Sequence, residues 1–171
     1  MNTEQTINII MNQLKPTLGE TIYDPCMNNG EFLVGAVDYL NSIYDYGINW
    51  KNRKYVISGE TDDHNKVNNA RNNLLNSVIT NDNDNNNIIK FNFNDTVKHS
   101  HNMNGGKYDI VVTQLSSYNF NMMNNIFDSM KENARCAVVV DDMHLTCSNL
   151  NVINIREYMV EHLNVTKIVS I

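Results

Sequence analysis

Short apolar runs that end in an acid or a polar turn alternate with helically spaced segments along the whole chain. Nothing else in the sequence constrains the fold as strongly. Parallel strands need crossovers of helical length, so regular alternation of strand and helix specifies a mostly parallel sheet covered on both faces. Ile7, Ile10, Met11 and Leu14 fall at the spacing of an amphipathic helix, which Pro16 and Gly19 end. Thr21 to Tyr23 follows as a first strand closed by Asp24-Pro25, and a helix runs from Glu31 to about Tyr46-Gly47. Tyr55 to Ser58 is a second strand ending at Gly59-Glu60. Val67, Ala70, Leu74 and Leu75 mark the next helix, with Asp62 or Asp63 near its start. Ile88 to Phe93 is a third strand with Asp95 just beyond it. Tyr108 to Thr113 is a fourth, followed by the turn Gln114 to Tyr118 and a helix over about Asn119 to Lys131. Ala137 to Val140 is the most apolar strand and is expected at the centre of the sheet. Ile153 to Leu163 is a last helix and Val165 to Ile171 a last strand. The expected architecture is a doubly wound α/β sheet of six strands, in a single domain spanning residues 1–171.

Charge and composition narrow the function classes. A net charge of −6 and a pI near 5.2 argue against a domain that wraps nucleic acid by charge alone. They leave open a DNA enzyme with a local basic patch or a basic partner. No apolar run approaches the roughly 20 residues of a membrane span. The polar N-terminus has no signal-peptide core, so an intracellular, cytoplasmic location without membrane contact is expected. Cys26, Cys136 and Cys147 are odd in number and form no C-x-x-C pair, which reads as free thiols in a reducing compartment. Asparagine supplies 32 of the 171 residues, a bias that follows AT-rich codons and fits a large DNA virus or an AT-rich microbe. Asn81 to Asn87 is accordingly a solvated loop.

In a doubly wound sheet the strands' carboxyl ends form one edge, where ligands bind. Four polar features fall there: the loop Asp24 to Gly30, Glu60, Asp95, and the turn Gln114 to Tyr118. Gly30 would let backbone approach a ligand closely. Glu60, about 30 residues on, could accept hydrogen bonds from ribose hydroxyls. Together they point to a nucleoside site.

These segments resemble the catalytic core of adenine-specific DNA methyltransferases, above all the modification subunits of type I restriction systems. T-E-Q-T-I-N-I-I-M-N-Q-L-K-P from Thr3 parallels the family's Thr-Pro-initiated helix. G-E-T-I-Y-D-P-C-M-N-N-G-E-F-L parallels G-x-x-V-x-D-P-A-C-G-S-G-G-F-L. Gly59-Glu60, N-A-R-N-N-L-L from Asn69, and Asn94-Asp95-Thr96 match later segments in order. Y-D-I-V-V-T-Q-L-S-S-Y stands in the place of F-D-x-V-x-x-N-P-P-F/Y, and A-R-C-A-V-V-V-D-D resembles G-R-A-A-V-V-L-P-D. The resemblance implies a Rossmann-like class I methyltransferase fold, truncated after the sixth strand. It also implies S-adenosylmethionine as cofactor, with Thr3, Asp24, Gly30 and Phe32 by its methionine half, Glu60 on the ribose and Asp95 near the adenine. A flipped target adenine would meet the turn at Gln114, and a specificity partner would bring the DNA.

The departures from the family fall on functional positions. Asn28 and Glu31 replace loop glycines, adding bulk and a negative charge where the cofactor would lie. Gln114 takes the place of the catalytic Asn, Leu115 and Ser116 replace two prolines, Ser117 replaces the aromatic residue, and Tyr118 comes one position late. Without the prolines the acceptors lose their rigid placement. The expected result is a degenerate member that binds cofactor or protein, or that has lost the cofactor. An active enzyme and a purely structural protein are the rival readings. The absence of the family's following antiparallel strand would leave an open edge at the C-terminal end, suited to a homodimer.

Other polar groups read as ordinary surface or packing. Asp141, Asp142 and His144 are loop polarity and no metal site is expected. His99 and His101 are solvated, Cys26 is a packing residue without a paired base, and Trp50, Lys51, Arg53 and Lys54 form a solvated strand entry rather than a DNA contact.

Overall fold

Ile22, Ile57 and Ile110 stand in register on three adjacent strands, and no more than 1% of any of them is exposed. The row they form is the middle of a parallel sheet. The structure, a computed structural model, describes residues 3–45, 48, 57–61, 63–79, 92–94, 107–115 and 120–169. Its elements in chain order are α1 (Thr3–Leu14), β1 (Ile22–Asp24), α2 (Glu31–Ile43), β2 (Ile57–Glu60), α3 (His64–Ile79) and β3 (Asn92–Asn94). They continue as β4 (Tyr108–Gln114), α4 (Phe120–Ser129), β5 (Met130–Val139), α5 (Met143–Thr146) and α6 (Leu150–His162). The strands form one five-stranded sheet in the order β3-β2-β1-β4-β5, with every pairing parallel. This is the doubly wound, Rossmann-like α/β arrangement that the family resemblance implies.

Strand periodicity sorts the core into two layers. Ile22, Ile57, Ile110 and Val112 face α1, α2 and α3, where Leu14, Leu33, Val37, Leu40, Ala70 and Leu74 close over them. Tyr23 and Val111 face α4 and α6, against Met123, Ile126, Phe127 and Ile155. Ring stacking adds to the second layer, with Tyr23 on Tyr108 at 4.3 Å and Phe127 on Tyr158 at 5.1 Å between centroids.

Two expectations are corrected. The run Ala137 to Val140 lies in β5 up to Val139, with Val140 just past its end, and β5 is the outermost described strand on its side; β1 is central. The apolar run reads as central because both its faces are covered: Ala137 and Val139 pack on the first layer, Cys136, Val138 and Val140 on the second. The strand is also longer than the run, because a register shift between Tyr108 and Ile110 accommodates Asn133 at φ +63°. The sixth strand, expected over Val165 to Ile171, is not formed in its described part. Residues 164–169 leave α6 without pairing, and Ile168 is 68% exposed. Val-Thr-Lys-Ile-Val has strand propensity, but pairing decides strand formation and no described strand adjoins it. The expected C-terminal edge strand is therefore replaced by β5 as the outer strand of the described sheet. Among the described residues no helix is long and apolar enough to cross a membrane.

Candidate functional site

β1 and β4 are neighbours, yet the chain leaves β1 for α2 on one face and β4 for α4 on the other. A crevice opens where such connections part. Asp24 ends β1 at this point and is 2% exposed. Its Oδ1 accepts from Thr113 Oγ1 at 2.7 Å, which ties β1 to β4, and from the Cys26 amide at 3.0 Å, which starts the turn. Burial pushes the Asp24 carboxyl up to about 7, against the two hydrogen bonds and reinforced by the Glu31 charge.

The loop after Asp24 is fixed from below and from the side. Met27 is fully buried; its amide donates to the Glu60 carbonyl at 2.9 Å, and its sulfur fills the space beside Gly59. Gly30 has φ +79°, and a Cβ there would stand 3.0 Å from the Ala70 Cβ of α3. Glycine is required at Gly30 by its left-handed backbone and by helix packing, since the close neighbour is Ala70. Glu31 opens α2 and folds back: its carboxylate accepts from the Asn29 amide and from Asn29 Nδ2, each at 3.1 Å. An anion at a helix N-terminus is favoured by the unpaired amides there. From the other side α3 presents Lys66, Asn69 and Asn73. Lys66 Nζ donates to Asn28 Oδ1 at 3.0 Å, Asn69 to Asn29 Oδ1 at 3.2 Å, and Asn73 to the Asn29 carbonyl at 3.1 Å.

Above this loop lies a cavity of about 240 Å³, lined by Thr3, Asp24, Cys26, Asn28, Asn29, Glu31, Phe32, Lys66 and Gln114. Thr3 lines it from the start of α1, a helix anchored at its far end. Arg135 Nε donates to the Leu14 carbonyl at 2.7 Å, and the same guanidinium pairs with Glu20 at 2.8 Å.

Of the residues singled out from the sequence, Thr3, Asp24, Phe32 and Gln114 therefore share one cavity. Gly30 and Glu60 are not among its lining residues. The Glu60 carboxylate hydrogen-bonds the Tyr23 hydroxyl; burial first, and this charge second, push Tyr23 well above the ordinary tyrosine range. Gln114 is exposed, whereas Leu115 is 4% exposed in the second core layer, with its amide donating to the Val139 carbonyl at 3.0 Å. Asp95, Ser116, Ser117 and Tyr118 lie outside the described residues, as do the cluster Trp50, Lys51, Arg53 and Lys54 and the pair His99 and His101. Cys26 packs on the second layer and also lines the cavity. Among the described residues no group of three or more His, Cys, Asp or Glu side chains is placed to hold a metal, and Cys26, Cys136 and Cys147 are free thiols.

Lys66 and the two asparagines of α3 were missed by sequence reasoning. Positions 66, 69 and 73 fall on one helix face, a polar stripe that looks like an ordinary solvated surface until the loop is seen against it.

Comparison with known proteins agrees with this geometry. The model of the N-6 DNA methylase family matches residues 3–171. No curated protein sequence matches. Among solved structures, the M protein of the type I restriction enzyme EcoKI superposes with a TM-score of 0.69 at 21% identity. A modification subunit assigned to a type I restriction enzyme from Vibrio vulnificus YJ016 does so at 0.68 and 16%. In both, 93% of this chain covers 37% of the other, so the chain spans little more than a third of the length of these relatives. A ribosomal protein L11 methylase from Lactobacillus delbrueckii subsp. bulgaricus is also similar, with a TM-score of 0.59 and 13% identity over 93% of this chain and 67% of that one. Likenesses at these identities show the fold, which serves substrates as different as DNA and a ribosomal protein.

Proposed function

The chain belongs to the N-6 DNA methylase family, and from that premise we propose that it is a cofactor-binding methyltransferase domain whose catalytic turn has degenerated. The observation that carries this reading is the contrast around one cavity. Asp24, Phe32 and Thr3 line it together, while Leu115, at the first proline position of the family's turn, is sunk in the core beside an exposed Gln114. The lining suits the methionine end of S-adenosylmethionine: acids for its ammonium and sulfonium, and a lysine for its carboxylate. A cavity of about 240 Å³ is smaller than the roughly 300–1,000 Å³ of a whole small-molecule site. The adenosine half would therefore extend beyond it, toward the ends of β2 and β3, where Glu60 and Asp95 stand in sequence.

The bound cofactor would supply an electrophilic methyl group. The chain's own part is to bind and orient it, and the Gln114 carboxamide could accept a hydrogen bond from an adenine amine. Loss of the rigid double-proline turn removes the positioning on which rate depends, and a misplacement of about 1 Å can lower it on the order of a hundredfold. The domain then works as a cofactor- or protein-binding module, with DNA reached through a specificity partner. Exposed Gln114 on the cavity favours one second reading, an active adenine methyltransferase that needs such a partner.

Incubation with methyl-labelled S-adenosylmethionine and AT-rich duplex DNA separates the readings. Label retained on the protein in equilibrium dialysis, with none in DNA, is expected. Label in DNA that disappears in Gln114→Ala would establish the active enzyme instead. No retained label at millimolar cofactor would leave a structural protein on this fold.

A further inference from the structure

We infer that Lys66 is the cofactor-positioning residue of this cavity, the counter-charge for a carboxylate on the bound ligand. The inference rests on the cofactor reading above and adds to it a residue that no family motif supplied. Among the cavity's described lining residues, Asp24 and Glu31 are acids and Lys66 is the one base. In a loop of this kind the natural seat for a ligand carboxylate is the N-terminus of the following helix. In this chain an acid stands beside that seat. Glu31 stands at the first position of α2, and its own carboxylate is held on the loop by both donors of Asn29. A second anion placed there would meet a fixed like charge.

Lys66 offers the alternative. It stands near the start of α3, and its Nζ is brought to the cavity by its hydrogen bond to Asn28 Oδ1. An ammonium has three donors, so the bond to Asn28 leaves it further donors to use. Asn69 and Asn73, one and two turns along the same face, hold the loop to α3 and so fix the distance between Lys66 and the rest of the lining. The cavity thus has a cationic wall on α3 and an anionic wall at Asp24 and Glu31. That polarity matches a free α-amino acid end, with the carboxylate toward Lys66 and the ammonium toward the acids. Asn28 and Glu31, which depart from the family's glycines, then form a rearranged binding surface: Asn28 presents the lysine and Glu31 sets an acid beside the old anion seat.

The test compares S-adenosylmethionine with its decarboxylated analogue, which keeps the sulfonium and the amine. Binding is measured by calorimetry on the full chain and on Lys66→Met and Lys66→Arg. The unaltered chain should prefer the carboxylate-bearing ligand by about tenfold or more, the scale of a charge-assisted hydrogen bond. Lys66→Met should bring that ratio to about one without weakening the decarboxylated ligand, and Lys66→Arg should restore most of it. A collapsed loop would instead weaken both ligands alike, and that outcome overturns the inference. An unaltered ratio in Lys66→Met, or no preference in the unaltered chain, also overturns it while leaving the cofactor reading intact. Absence of binding of either ligand to the unaltered chain overturns both.

Discussion

Two aspartates at opposite ends of the sheet have opposite electrostatic fates. Asp109, at the amino end of β4, accepts from the Thr21 amide at 2.8 Å, the Thr21 hydroxyl at 2.7 Å and Lys131 Nζ at 2.8 Å. Partial desolvation opposes ionisation there, but the Lys131 and Thr21 hydrogen bonds outweigh it and hold the carboxyl at about 2. Asp24, at the carboxyl end of β1, accepts from two neutral donors, the Thr113 hydroxyl and the Cys26 amide, and burial lifts it to about 7. One acid has a counter-charge and stitches strands together. The other waits beside a cavity. The contrast teaches that in this fold the amino end of the sheet carries stability, while the carboxyl end holds a destabilised group that a cationic ligand could satisfy.

The largest expected effect comes from removing the unsatisfied charge. Between its unfolded value of 3.8 and its folded value of about 7, Asp24 is protonated in the native chain and ionised in the unfolded one. The unfolded chain then binds fewer protons, so stability falls as pH rises through this window. Asp24→Asn should abolish that slope and stabilise the protein at pH 8 by on the order of 3 kcal/mol, read from thermal or denaturant unfolding at several pH values. It should also weaken cofactor binding. In the unaltered chain, affinity should climb from about pH 6 to about pH 8 as Asp24 ionises. A flat pH profile of stability would break the comparison at its functional end.

Next in size is Asp109→Ala, which should destabilise by about 2 kcal/mol at neutral pH. Here the sign is reversed. The folded value lies below the unfolded one, so the contribution is present above 3.8 and is lost as pH falls through about 2. The variant should therefore be closer to the unaltered chain in acid than at neutrality, a convergence that denaturant titrations at low pH would reveal.

Gly30→Ala should follow, with a loss of about 1.5 kcal/mol from the left-handed backbone and the approach to Ala70. Adding Ala70→Gly should recover only the packing share, which a double-mutant cycle measures. The smallest effect, about 1 kcal/mol, is expected for Arg135→Met. Its side chain is 40% exposed, so its ion pair with Glu20 is largely screened. The cap on α1 should matter more, and a loosened α1 should show as weaker cofactor binding through Thr3.

The layered fold was legible because period and punctuation agree: Ile22, Ile57 and Ile110 sit in short runs ended by Asp24, Glu60 and Gln114. Much of the cavity's lining was legible too, since strand ends and the family pattern mark Thr3, Asp24, Asn28, Glu31, Phe32 and Gln114. What a single sequence hides is which neighbour a residue has. Gly30 reads as an approach for ligand, yet its close neighbour is Ala70, forty positions along. Lys66 reads as surface because nothing local reveals that Asn28 lies against it. Leu115 reads as turn but packs as core, and Val165 to Val169 reads as strand but finds no partner among the described residues. Each miss is a tertiary contact overriding a local preference.

On the proposed reading, the cofactor cavity has outlived the catalytic turn. A calorimetric titration of the full chain with S-adenosylhomocysteine at pH 8, where Asp24 is ionised, tests it most directly. A dissociation constant on the order of 100 μM or tighter, about −5.5 kcal/mol, is expected. Absence of binding heat at millimolar ligand would contradict it.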